Sequence, residues 1–421
     1  MLKGLNKRFL PVSAAVFAAA RRAVYPLRVA ALALSAAWCA GGALAAQNAP
    51  AEGEVNRLAP DFVRASLLLS SPGNELFTCV GHAFLRLECP TYGLDYCFSY
   101  ESEPIPDKLA AFFSGRLKMG MFAQPTEEFL RQYRRDGRGV TQYRLELPPA
   151  AKQRLWKLLD AKVAEGQNLP YDYLRRGCAS ATLGCLREAL APEPLALTEW
   201  PEKFETFTRR EFFVDALEKT YPWNLLALQA IVGTAIDARV PKTDMVIVPG
   251  DLLAVLQRAR VRGRAVAAPE GEVLVAATRP AARPPAVTPA LVAGLVALLS
   301  LVNALLRCPA VDWLFLALQT VLGVYFTYMV VCSNLPATGW NWQLVPFNVL
   351  PAFLWRFRRY WAFGFAVLLL AWEVFMLLYP HNLTDPAFRL LTLAYVVFYL
   401  KIALHDGRFP KFNVFKQRIR R

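Results

Sequence analysis

Histidine is scarce in this chain: its 421 residues contain only His82, His381 and His405. His381 falls between apolar segments and His405 in a basic tail, which leaves His82 alone in an ordinary folded region. A single histidine holds a metal only with several acidic or cysteine partners at suitable spacing. No HxxxH or CxxC pattern occurs, so metal chemistry is disfavoured and no cofactor is called for. A Walker-type phosphate loop and a GxSxG elbow are also missing from the sequence. What remains is a cysteine paired with His82, because an adjacent imidazole favours the thiolate, the form that attacks a carbonyl carbon.

Five cysteines share that region: Cys79, Cys89, Cys97, Cys178 and Cys185. An odd number leaves at least one thiol over in an oxidising compartment. Cys89 and Cys97 flank a Pro-Thr-Tyr-Gly turn and are candidates for a hairpin disulfide. Cys79 lies among apolar residues and reads as core, and Cys185 reads as structural, with Cys79 as a candidate partner. Cys178 follows Gly177 at an expected helix start, where the helix N-terminus stabilises a thiolate and backbone N–H groups bind an oxyanion. From spacing alone a blander reading stays open: His82 as a satisfied core histidine and Cys178 as a buried thiol.

The elements that must position these residues are legible around them. ASLLLSS (65–71) reads as a buried strand ending at Pro72-Gly73. The stretch 73–90 reads as a short helix leading into a strand or as two strands, and LDYCFSY (94–100) as another strand. Leu155, Leu158, Leu159 and Val163 make a helical stripe over 151–166, and a turn at Arg176-Gly177 precedes a helix beginning near Cys178. Leu252–Leu256 belong to a closing helix, and Val273–Ala277 to a short strand in an Ala/Pro/Arg/Gly-rich linker. The result is an α+β domain over 55–260 and a linker over 261–286.

Composition sets this domain beside a membrane. Apolar residues make up 55% of the chain and charged residues 19%, and the mean hydropathy is +0.27. The net charge of +15 invites a nucleic-acid reading, but the excess flanks apolar segments, as positive-inside retention requires, so no nucleic acid is expected. Residues 1–46 read as a signal or an uncleaved anchor: a basic leader, an apolar run over 29–46, and Ala43-Leu44-Ala45 at its end. Four further segments can span, Pro289–Leu306, Val311–Cys332, Trp361–Tyr379 and Phe388–Leu404, within an all-α membrane domain over 287–405. A basic tail follows over 406–421. The segment 335–355 is apolar but broken by prolines and Gly339. If it crosses as well, kinked or re-entrant, then Arg307, Arg356, Arg358, Arg359 and the tail all fall on the cytoplasmic side. The alternative is an interfacial loop anchored by Trp340, Trp342 and Trp355. Glu373, an acid inside a span, is either functional or paired with an arginine of a neighbouring helix.

SLLLSSPGNELFTCVGHAFLRL (66–87) with LDYCFSY (94–100) resembles the opening motif of the Lnb-type N-terminal periplasmic domain, a family named after a bacterial lipoprotein N-acyltransferase. YDYLRRGCASATLGCLREAL (171–190) resembles its second, aromatic-rich motif centred on one cysteine, residues 223–256 its closing segment, and NWQLVPFNVLPAF (341–353) its membrane motif. The resemblance implies thiol acyl transfer on a permuted papain-like, NlpC-type fold, in which the histidine precedes the cysteine. Carried onto this chain, it makes Cys178 the nucleophile and His82 its base. Asp95 is the candidate orienter of the imidazole, with Ser99 as the fallback. Gly81, Arg86 and Tyr173 belong to the same motifs; Arg86 either holds a phosphate or carboxylate or forms a structural ion pair. The chain departs from the family in having Arg176-Gly177 where asparagine often precedes the cysteine, and Tyr100-Glu101 where Tyr-Gly is usual. The implied substrate is a phospholipid or a diacylglyceryl lipoprotein at the outer face of a bacterial inner membrane, and Trp223, Phe212 and Phe213 are candidates to receive an acyl chain. A periplasmic cysteine peptidase or amidase acting on the cell wall, or a non-enzymatic membrane scaffold, are the alternatives.

Overall fold

The computed structural model describes residues 57, 59–75, 77–191, 193–279, 283–378 and 385–406. The segment 1–46, His381 and the basic tail beyond 406 lie outside the described residues. An antiparallel sheet organises the extramembrane part. Its strands are β1 (Arg64–Ser70), β2 (His82–Cys89), β3 (Leu94–Ser102), β4 (Lys118–Pro125), β5 (Val140–Arg144), β6 (Leu169–Pro170) and, after a small hairpin of β7 (Arg260–Val261) and β8 (Arg264–Ala265), β9 (Glu272–Val275). The sheet runs β6-β4-β3-β2-β1-β5-β9.

Successive residues of a strand face opposite sides. Leu67 of β1 joins Leu85 and Leu87 of β2 on one face, whereas Leu68 joins Phe84 on the other. Both faces are covered, which is why β1 reads as an unbroken apolar run. The first face packs on α2 (Pro149–Ala164) through Leu155 and Leu159, and on α3 (Cys178–Leu190) through Leu183 and Leu186. The second packs on α1 (Thr126–Asp136) through Phe129, Leu130 and Tyr133. The domain's other helices include α4 (Arg209–Leu217), held at its start by a Thr208–Glu211 capping box, α5 (Pro222–Ile231) and α6 (Pro249–Arg258).

The strand register overturns the hairpin disulfide. Cys97 stands opposite Arg86, and Cys89 opposite Leu94. Cys89 therefore shares the Leu87 face of the sheet, while Cys97 packs beside Phe84 on the opposite one. Their side chains diverge and both are free thiols. A Cys79–Cys185 pair is also not formed: Cys79 packs with Leu217 and Leu225, and Cys185 lies in the main core.

Four long apolar helices follow, α7 (Pro289–Leu306), α8 (Pro309–Val331), α9 (Arg358–Leu378) and α10 (Pro386–Asp406), each long enough to cross a bilayer. They and the α+β domain belong to one compact unit. Between α8 and α9 the chain makes only short turns, Trp342–Leu344, Leu350–Phe353 and Trp355–Phe357. This irregular stretch runs back along α8. Asn334 meets Gly115 of the α+β domain, Pro346 and Asn348 accept hydrogen bonds from Gln319 at 2.8 and 3.1 Å, and Trp355 meets Trp313 near the start of α8. Unwound backbone needs such polar partners when water is absent. Glu373 of α9 pairs with Arg389 of α10 at 3.2 Å, the ion-pair alternative among the two readings of that acid.

Candidate active site

Cys178 is the first residue of α3. Gly177 before it is extended, and a Cβ at that position would lie 2.7 Å from the Tyr173 carbonyl oxygen, so a side chain there would push the helix start away. The first N–H groups of a helix have no partner within it. Here the backbone of Cys178 and Ala179, and that of Ala83 on β2, favours the thiolate of Cys178. Burial pushes the Cys178 thiol up from its ordinary range, and this backbone polarity opposes the rise. The fold thus brings Cys178 and His82 to one cavity, although the two motifs lie far apart in the chain.

His82 opens β2 and stacks on Phe84 with ring centroids 5.8 Å apart. Its Nε2 lies 2.6 Å from the Ser99 hydroxyl oxygen on β3. Burial and the neighbouring Arg138 cation push the imidazole down to about 4, so it is neutral near pH 7. In the tautomer whose Nε2–H donates to Ser99, the lone pair is on Nδ1, the ring nitrogen left to accept a proton. Ser99 is 1% exposed, and the carboxyl of Glu101 is pushed up by burial, with the Ser99 hydroxyl opposing the rise.

His82 and Cys178 line one cavity of about 360 Å³, with Gly81, Tyr100, Glu101, Tyr133, Tyr171, Tyr173 and Phe213 among its walls. Resting thiol and imidazole are both neutral by these shifts, so the geometry suits general-base activation at the moment of attack rather than a standing thiolate–imidazolium pair.

The expected site residues separate into two groups. Gly81 adopts φ +83° where a Cβ would meet the Ser70 carbonyl oxygen at 2.7 Å, so it is needed for the sharp entry to His82. Tyr173 lines the cavity and donates to the Pro336 carbonyl at 3.0 Å, joining the site to the irregular stretch between α8 and α9. Asp95 does not reach the imidazole, a correction to its expected role. It sits opposite Glu88, at the far end of β2, and binds Arg86 with both oxygens at 2.8 and 2.7 Å while accepting from Thr126. Arg86 is thereby committed to a structural ion pair, with Glu88 at 3.1 Å as a second carboxylate. Of the aromatic residues expected to take a chain, Phe213 lines the cavity, Phe212 is buried against Phe204 and Phe207, and Trp223 is exposed elsewhere. Glu101 and Arg138 were not anticipated as site residues. The Tyr100-Glu101 departure from Tyr-Gly was the available signal for the first, and nothing in the sequence marks the second.

Fold and site define a protein with an α+β domain carrying a Cys–His cavity and four helices able to cross a membrane. Residues 55–210, which contain both His82 and Cys178, match the family model of the Lnb N-terminal periplasmic domain. No curated protein and no solved structure matches the chain. A periplasmic domain followed by four apolar helices fits a protein of the inner membrane.

Proposed function

We propose that the protein is a membrane-bound thiol acyltransferase that acts at the outer face of the inner membrane, with Cys178 as nucleophile and His82 as base. The observation that carries this reading is the cavity whose wall holds both Cys178, at the start of α3, and His82, at the start of β2. In the first step the thiol proton passes to His82 Nδ1 as sulfur bonds to the carbonyl carbon of a lipid ester. The tetrahedral oxyanion is met by backbone N–H groups at the start of α3, and the ester C–O bond breaks as His82 returns the proton to the departing alcohol. In the second step an amine attacks the thioester, His82 takes its proton, the C–N bond forms, and the C–S bond breaks with sulfur regaining a proton. The α-amino group of a lipoprotein's N-terminal cysteine is the acceptor. Ser99 orients the imidazole, and Glu101 holds Ser99.

A helix carrying the cysteine and packed on an antiparallel sheet carrying the earlier histidine is compatible with the permuted papain-like arrangement. The return of 335–355 along α8 supports five crossings, with Arg307, Arg356, Arg358 and Arg359 on the cytoplasmic side. The test uses the detergent-solubilised full chain, a radiolabelled phospholipid or diacylglyceryl lipopeptide, and a lipopeptide with a free amine. Label moving to the amine with wild type and not with Cys178→Ala is expected. Transfer that persists in Cys178→Ala removes the proposal, and release of free fatty acid alone makes the protein a hydrolase.

A further inference from the structure

A second and larger cavity, of about 1060 Å³, adjoins the Cys–His cavity and shares Cys79 and Arg138 with it. Three arginines line it, Arg138, Arg279 and Arg283, and no acidic residue does so among the described lining. Arg138 is 8% exposed, which normally demands a carboxylate partner. Instead its Nε donates to the Ser71 carbonyl at 3.0 Å, and its Nη2 to the Ser70 hydroxyl and the Ser71 carbonyl at 2.7 and 2.9 Å. Nη1 makes none of these bonds, and among the described residues no carboxylate forms a salt bridge with this guanidinium. A buried cation held in position by neutral oxygens, at the wall of a cavity containing two further arginines, is a site prepared for an anion.

The location says which anion. Trp223 lines the cavity and donates from Nε1 to the Val287 carbonyl at 2.8 Å, directly before Thr288, which caps the first membrane helix α7. Pro285 of the same connection is also in the wall. Tryptophan at a helix end marks the headgroup level of a bilayer. We propose that this cavity binds the phosphate of a glycerophospholipid headgroup, with Arg138, Arg279 and Arg283 as its ligands, so that the lipid's ester is presented to the adjoining Cys–His cavity. The presentation clause rests on the proposed acyl transfer; the binding of lipid phosphate does not.

The test is calorimetric titration of the full chain in a neutral detergent, in the Cys178→Ala background so that nothing is consumed. The probes are dihexanoyl phosphatidylglycerol, dihexanoylglycerol, which lacks the phosphate, and inorganic phosphate. Phosphatidylglycerol is expected to bind at least about tenfold more tightly than dihexanoylglycerol. The double variant Arg279→Gln/Arg283→Gln, at exposed positions that leave folding intact, is expected to lose about tenfold in phosphatidylglycerol affinity and nothing for dihexanoylglycerol. Equal binding of the two diacyl probes, or an unchanged double variant, overturns the proposal. Inorganic phosphate binding as tightly as the lipid overturns the lipid assignment in favour of a free anion. If phosphate-dependent lipid binding holds while the wild type transfers no acyl chain, the site stands and the catalytic reading falls.

Discussion

Removing one hydroxyl should separate an oriented base from a merely buried histidine. In Ser99→Ala the Nε2 of His82 loses the hydrogen-bond partner that lies 2.6 Å away, in a strand position only 1% exposed. A buried donor left without a partner costs about 1–3 kcal/mol. If that cost falls on the state in which Nδ1 takes the thiol proton, acylation of Cys178 slows by roughly 5- to 150-fold, since each 1.36 kcal/mol is tenfold. A hydroxyl oxygen also favours the imidazolium over the neutral ring, so its loss moves the acid limb of the rate to still lower pH. The assay is single-turnover acylation of the full chain by a short-chain phospholipid, followed by intact mass over a pH series. Glu101→Gln keeps Ser99 in place and should slow acylation less than Ser99→Ala does. A Ser99→Ala protein that acylates at the wild-type rate with an unmoved acid limb refutes the reasoning.

Asp95→Asn supplies the contrast: it weakens the two-oxygen pairing with Arg86, so the melting temperature should fall while the acylation rate of the folded protein stays unchanged. His82 is neutral in the fold down to about 4, whereas in the unfolded chain it binds a proton below about 6.5. Stability from this residue is therefore complete above pH 6.5 and is lost as pH falls toward 4, by roughly 3 kcal/mol in all. His82→Gln should flatten the melting temperature across that window, and an undiminished slope would contradict the shift. Gly177→Ala places a Cβ 2.7 Å from the Tyr173 oxygen and should cost more in acylation than in melting temperature, because the helix start must move off the sulfur's partners. Alkylation of the unfolded, non-reduced protein should label Cys89 and Cys97 fully, which peptide mass spectrometry reads directly.

Much of the fold is legible where periodicity and burial agree. The Leu67–Leu68 run becomes β1 because both sheet faces are covered, and the stripe at Leu155, Leu158 and Leu159 becomes α2. The helix start at Cys178 follows from the glycine before it. Three things were not legible. Asp95 and Ser99 lie on the same face of β3, and only the register with β2 decides that Ser99 meets the imidazole while Asp95 meets Arg86. The same register sends Cys89 and Cys97 to opposite faces, a fact their hairpin spacing conceals. Arg138 has no local signature, because its surroundings come from Ser70, Ser71 and the far end of the domain. Long-range pairing supplied all three.

The meeting of sulfur and imidazole is tested most directly by trapping. Wild-type protein held with labelled phospholipid and no amine, then measured by intact and peptide mass spectrometry, should carry one acyl group on Cys178, labile to hydroxylamine and discharged by an added lipopeptide amine. The adduct should be missing from Cys178→Ala and nearly so from His82→Ala. An acyl group on another residue, or turnover of the lipid with Cys178 unmodified and dispensable, would contradict it.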